Sequence, residues 1–147
     1  MAKSEGQKLK LLYIIKMLEE YSDENHPLGT QEIIRKLEEY GIHSERKSIY
    51  DDMAKLEDFG YDIIQVHSRL GGGYYLASRE FELPELKLLV DAVQSSRFIT
   101  TRKSRELIKK LENKAGKYDA GKLQRQVYVA GRVKTENESI YYNIDNI

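Results

Sequence analysis

Acid–base, nucleophilic and metal chemistry find few residues in this chain. It has 147 residues and no cysteine, which excludes thiol catalysis, disulfides and cysteine-ligated zinc. Its 3 histidines, His26, His43 and His67, lie far apart and lack metal-ligand spacing. The adjacent carboxylates Glu38-Glu39 and Asp51-Asp52 would diverge by about 100° on a helix, so neither pair converges on one substrate atom. No Ser-His-Asp order and no nucleophile elbow is visible. The expectation is a protein that is not an enzyme, with no catalytic residue, no metal site and no cofactor. What the chain does offer is a group of hydrogen-bond donors. Arg46, Lys47, Ser48 and Tyr50 are close neighbours, Ser44 just precedes them, Thr30 lies upstream, and Arg69 borders the run Gly71-Gly72-Gly73. Arg and Lys donate to guanine O6 and N7. Ser and Tyr hydroxyls bond phosphate oxygens, which sets register without reading sequence. Arg46 and Lys47 open a helix where its dipole favours acids, an unfavourable placement that an external anion would compensate.

The elements that must position these donors follow from periodicity. Leu11, Ile14, Ile15 and Leu18 repeat at i, i+3, i+4 and i+7, which predicts an amphipathic helix over about Gln7 to Tyr21. A polar turn with Pro27 and Gly29 follows. Thr30 is read as the N-cap of a second helix with Ile33, Ile34 and Leu37 inward. Gly41 stops it, Ile42 plugs the core, and Ser44 is read as the cap of a third helix. That helix, about 44–59, turns Ile49, Met53 and Leu56 inward and ends at Gly60. Its opposite side carries Lys47, Tyr50, Asp51 and Ala54. The period then changes. Tyr61 to His67 and Tyr74-Tyr75-Leu76 read as two strands, and the intervening 68–73 as a glycine-bearing hairpin loop. The glycines do not follow a strand and open a helix, as a P-loop would.

Helix, helix, helix, hairpin is the order of a winged helix-turn-helix. In that architecture the third helix enters the major groove. Arg69 at the wing tip would meet phosphate or the minor groove, with His67 and Ser68 beside it, and the amides of the helix begun by Thr30 would face the backbone. The expected fold class is therefore mainly α with a small β-hairpin wing: a winged helix-turn-helix over 1–80, then a helical linker or dimerisation region over 81–147. In that second region Pro84 suits a first helical position, and Leu86, Leu89, Val90 and Val93 line a face. Thr100 or Thr101 caps a helix with Leu107, Ile108 and Leu111 inward. Gly116 and Gly121 bracket a turn, and Leu123 and Val127 mark a short helix. A last helix begins near Asn137. Its stripe Ile140, Ile144, Ile147 reaches the final residue uncapped, the pattern of a piece of a longer chain.

Composition agrees with a folded protein: 40% hydrophobic and 33% charged, with no apolar run long enough to cross a membrane. The polar start, the absence of a signal-peptide core and the lack of disulfides favour the cytoplasm. The net charge of zero, 24 basic against 24 acidic, argues against a nucleic-acid partner only as a sum. Residues 1–80 hold 11 basic and 15 acidic side chains, and residues 81–147 hold 13 and 9. Between Arg97 and Lys134, 12 cations face only Glu106, Glu112 and Asp119. Such asymmetry points to a polyanion partner or to contact between the two halves. Glu45, Asp51 and Asp52 stand on or beside the reading face. Either Asp52 pairs with an internal cation, or Asp51 accepts from a cytosine amino group, or binding is weak.

Several segments resemble one family. Arg46-Lys47-Ser48-Ile49-Tyr50-Asp51-Asp52 is similar to the Arg-Arg-Thr-Val-Tyr-Arg-Asp recognition helix of bacterial WYL-domain transcriptional regulators of the DeoR-like winged-helix type. Gly71-Gly72-Gly73-Tyr74-Tyr75-Leu76 is similar to their wing. Glu85 to Val93, Ser95 to Thr100, and Lys134 to Asp145 resemble the segment those regulators place after it. Asp51 departs from the pattern, standing where the family often has Arg. The resemblance implies sequence-specific binding of double-stranded operator DNA to control transcription. It also implies a homodimer, and an effector ligand, if any, on a C-terminal WYL domain that this sequence does not contain. The competing expectation is a winged-helix module for protein–protein interaction or dimerisation, without direct DNA readout.

Overall fold

The structure, a computed structural model, describes residues 2–69 and 71–126. Among these, six helices accompany one two-stranded antiparallel sheet, so the fold is mainly α with a small hairpin. The chain divides into two compact units, the first Met1–Arg79 and the second beginning at Glu80. The Val127 half of the expected short helix and the expected helix from Asn137 lie outside the described residues.

The first unit contains α1 (Ala2–Tyr21), α2 (Thr30–Glu39), α3 (Arg46–Phe59), β1 (Ile63–Val66) and β2 (Gly73–Leu76). Ile14, Leu18, Ile33, Leu37 and Ile49 lose all solvent contact, and Met53, Leu56, Ile63, Tyr74 and Leu76 close around them. Every helix stripe read from the sequence contributes. Leu11 stays at the rim, packed on the core without entering it. Gly41 at φ 77° and Gly60 at φ 125° stop α2 and α3 in backbone that other residues avoid. Ile42 turns in as expected, and its amide bonds Leu37 O at 3.0 Å. Arg79 closes the unit in a way the periodicity does not announce. Its guanidinium donates to Glu19 O and Ser22 O, both at 2.7 Å, and so satisfies carbonyls at the end of α1.

Two caps differ from expectation. Thr30 is the first helical residue of α2, and Gly29 occupies the N-cap with no side-chain bond. Ser44 does not cap α3. Glu45 holds that position, again without a side-chain bond, while Ser44 is buried with no hydrogen-bond partner for its Oγ. Burying Ile42 draws the short segment before α3 inward, and Ser44 follows it.

The second unit contains α4 (Leu83–Ser95), α5 (Thr101–Glu112) and α6 (Lys117–Gln126). Pro84 lies in the first turn of α4, and the Glu82 amide donates to Glu85 Oε1 at 2.9 Å. Thr100 is the cap of α5, accepting from the Lys103 amide at 3.0 Å. Leu86, Val90, Ile108 and Leu123 form the buried centre. Leu89, expected on the inner face of α4, is exposed. Gly121 lies inside α6 and does not bound a turn.

Candidate nucleic-acid interface

The hairpin is built around a third backbone segment. β1 and β2 pair in the register Ile63↔Leu76 to Val66↔Gly73. On the other edge of β2, Tyr74 exchanges two bonds with Leu28: Leu28 N to Tyr74 O at 2.7 Å, and Tyr74 N to Leu28 O at 2.9 Å. This bridge fixes Gly29 and Thr30, the start of α2, against the wing. It also explains one of the glycines, Gly73, while the approach of β1 explains Gly72. A Cβ on Gly73 would stand 2.5 Å from Leu28 O, and one on Gly72 would overlap Val66 O. Only Gly71 of the run takes a positive φ, 115°, as a turn residue would. Close backbone approach, more than turn geometry, therefore demands the other two.

The result is an open groove of about 670 Å³ between the start of α2, the first turns of α3 and the wing. Thr30, Arg46, Tyr50 and Arg69 line it, together with Gln31, Gln65, His67 and Ser68. No carboxylate is among its lining residues. In a chain with as many acids as bases the lining itself is thus basic, although Glu32 in the first turn of α2 and Glu45 at the N-cap of α3 stand close by. Two helix starts add to the positive character. Neither α2 nor α3 has a side-chain cap, so their first amides are available to an outside acceptor, and α3 has no acid in its first turn. Tyr50 is 43% exposed, and its ring lies 6.5 Å from that of Tyr74, which is buried. Burial first, then Tyr50 and Glu57, raises the Tyr74 hydroxyl above its ordinary 10.0. It thus stays a neutral phenol at physiological pH.

The remaining expected site residues do not join the groove. Lys47 is exposed on α3 but is not among the lining residues. Ser44 is buried elsewhere. Ser48 is half-buried and turned toward α1, where its Oγ accepts from Lys10 Nζ at 2.6 Å, and it is not among the lining residues. Lys10 is the functional neighbour that periodicity missed. It is 3% exposed on α1, and its Nζ also lies 2.6 Å from Asp52 Oδ2. The first alternative for Asp52 therefore holds: its charge is neutralised internally. Asp51 pairs with Lys55 at 3.3 Å on the exposed side of α3. The signal for Lys10 was its place in the apolar phase of α1, four residues before Ile14.

Among the described residues no cluster of histidines and acids has the makings of a metal site. None of the described helices is long and apolar enough to cross a membrane. Comparison with protein-family models, with curated proteins and with solved structures found no match to this chain.

Proposed function

We propose that the chain is a sequence-specific DNA-binding protein of the winged helix-turn-helix class, a transcriptional regulator of the cytoplasm, and not an enzyme. The observation that carries this reading is the carboxylate-free groove, with Arg46 and Arg69 at its walls and two uncapped helix starts at its rim. A duplex supplies what such a surface lacks: a row of anions against the wing and the α2 start, and base edges opposite the first turns of α3. In this reading Arg46 and the outward Lys47 are the candidates for base contact, while Thr30, Tyr50 and Arg69 hold the backbone. The resemblance to WYL-domain regulators supports the same assignment, and a homodimer would match a palindromic operator.

Selection of bound sequences from a random duplex pool tests the reading and returns the half-site. Enrichment of one motif is expected. Arg46→Gln should lower affinity for that motif by about 1–3 kcal/mol, and adding Arg69→Gln should weaken binding to all duplexes alike. A pool that stays random after selection, or a double variant that binds like the parent, would reject it.

A further inference from the structure

The outer face of α5 has no role in the groove. It carries Arg102, Arg105 and Lys109 at i, i+3 and i+7, with Lys110 exposed beside them. Those three span about 10 Å of helix. Arg102 is 82% exposed and lies 3.5 Å from Glu106, which Lys103 also approaches at 3.7 Å. No carboxylate lies within ion-pair distance of Arg105, Lys109 or Lys110 among the described residues. Single exposed cations without an ion pair among the described residues occur on other helices too, Lys8 and Lys16 on α1 and Lys47 on α3; α5 differs in gathering its cations on one face. Glu106 is the one acid set among these cations, and it lies within ion-pair distance of Arg102 and Lys103 only, so the face keeps an excess of positive charge.

The chemistry of the face selects its partner. A protein interface centres on apolar and aromatic side chains and is poor in charge. None of the large exposed apolar side chains among the described residues lies on α5. A face of charge alone suits a polyanion. One strand of a duplex presents a charge about every 3.4 Å along its axis while winding around it, so long cationic side chains on about 10 Å of helix can reach two or three phosphates. We propose that Arg102, Arg105 and Lys109 form a second contact to the backbone of duplex DNA, independent of sequence and outside the winged helix. The proposal rests on the groove being a DNA interface, since it assigns the same ligand to both units. Contacts to phosphate position a protein without reading bases. Two contacts on one chain strengthen each other because the second forms at high effective concentration.

The test uses the full chain carrying Arg102→Gln, Arg105→Gln and Lys109→Gln, with circular dichroism melting to show that the helices persist. Fluorescence anisotropy on a long mixed-sequence duplex, titrated from low to physiological salt, reads the slope of log K against log salt. The slope should fall in magnitude by about 2 to 3 relative to the parent. Lys8→Gln, Lys16→Gln and Arg35→Gln, which remove the same charge from the first unit, should change it less. An unchanged slope for the α5 variant overturns the proposal. So does an unchanged slope accompanied by failure of self-association in light scattering, which would make the partner a second copy of the chain. If the triple variant does not fold, Arg102→Gln and Lys109→Gln are measured singly, each expected to lower the slope by about 1. The two readings separate cleanly. Loss of binding in Arg46→Gln/Arg69→Gln with no effect on α5 leaves the groove standing and removes this proposal, and the converse result removes the groove.

Discussion

At the scale of single residues, the decisive feature is a lysine placed where a hydrophobe would be expected. Lys10 reaches from α1 to both Ser48 and Asp52, so two polar residues of α3 are committed to the protein's own interior. This resolves the conflict raised by the acids. A carboxylate next to phosphates weakens binding, and Asp52 is masked by a cation 2.6 Å away. Lys10→Met should therefore do more harm than removing a single hydrogen bond implies, because Asp52 would remain largely buried without a counter-charge. The expected cost is about 3 kcal/mol, read as a lower urea midpoint. Lys10→Met with Asp52→Leu should recover most of that loss; if the double variant is no better than the single one, the pair is not the unit described. Ser44 gives the opposite case. As a cap its removal would cost about 1 kcal/mol, but its buried hydroxyl has no partner. Replacing such a group by a methyl is close to neutral. Ser44→Ala should leave the melting temperature unchanged or raise it, and a clear drop would restore the cap. Residue types were legible here, while side-chain directions were not. Which of Ser44, Ser48 and Tyr50 faces outward depends on where α1 lies, and α1 is distant in sequence.

At the scale of elements, the glycine run does more than turn the chain. Gly73 lets β2 take Leu28 as a second partner, and that bridge sets the start of α2 against the wing. The groove exists because of this pairing. Gly73→Ala would place a methyl 2.5 Å from a backbone oxygen, where no rotamer offers relief. We expect destabilisation of about 2 kcal/mol together with a loss of DNA affinity larger than that of a core variant of equal stability, such as Met53→Ala. Equal affinity loss at matched stability would separate the groove from the bridge. The helices and most of their apolar faces, Leu89 excepted, could be read from the 3.6 period, and the hairpin from β-branched residues flanking glycines, because both signals are local. The Leu28–Tyr74 bridge could not. It pairs one residue with one residue, carries no alternation, and joins segments that only the folded core brings together. Caps were read with mixed success for a related reason. Thr100 caps α5 because nothing pulls it elsewhere, whereas Ser44 is carried inward with Ile42.

At the scale of the whole molecule, a net charge of zero hides two opposite arrangements. The groove has no carboxylate and α5 has a basic face, while acids such as Glu19, Glu24 and Glu39 are exposed elsewhere on the first unit. Distribution, not the sum, governs what a polyanion meets. The remote acids act on every duplex alike, because repulsion at long range does not depend on base sequence. Contacts in the groove act more strongly on the preferred site. Removing remote acids should thus raise non-specific affinity and reduce discrimination, without touching the interface. Magnitude decides the conditions for the test. A unit charge about 20 Å from another is worth about 0.2 kcal/mol in water without screening. At physiological salt the Debye length is about 8 Å and little of that survives, whereas at 0.01 M it is about 30 Å. Glu19→Gln with Glu24→Gln and Glu39→Gln should therefore bind a random duplex about threefold more tightly at low salt, with almost no change at physiological salt. Anisotropy titrations at both salts, on random duplex and on the selected motif, provide the measurement. An equal gain at both salts would mean that one of these carboxylates touches the DNA directly, and the acidic surface would then belong to the interface and not to its background.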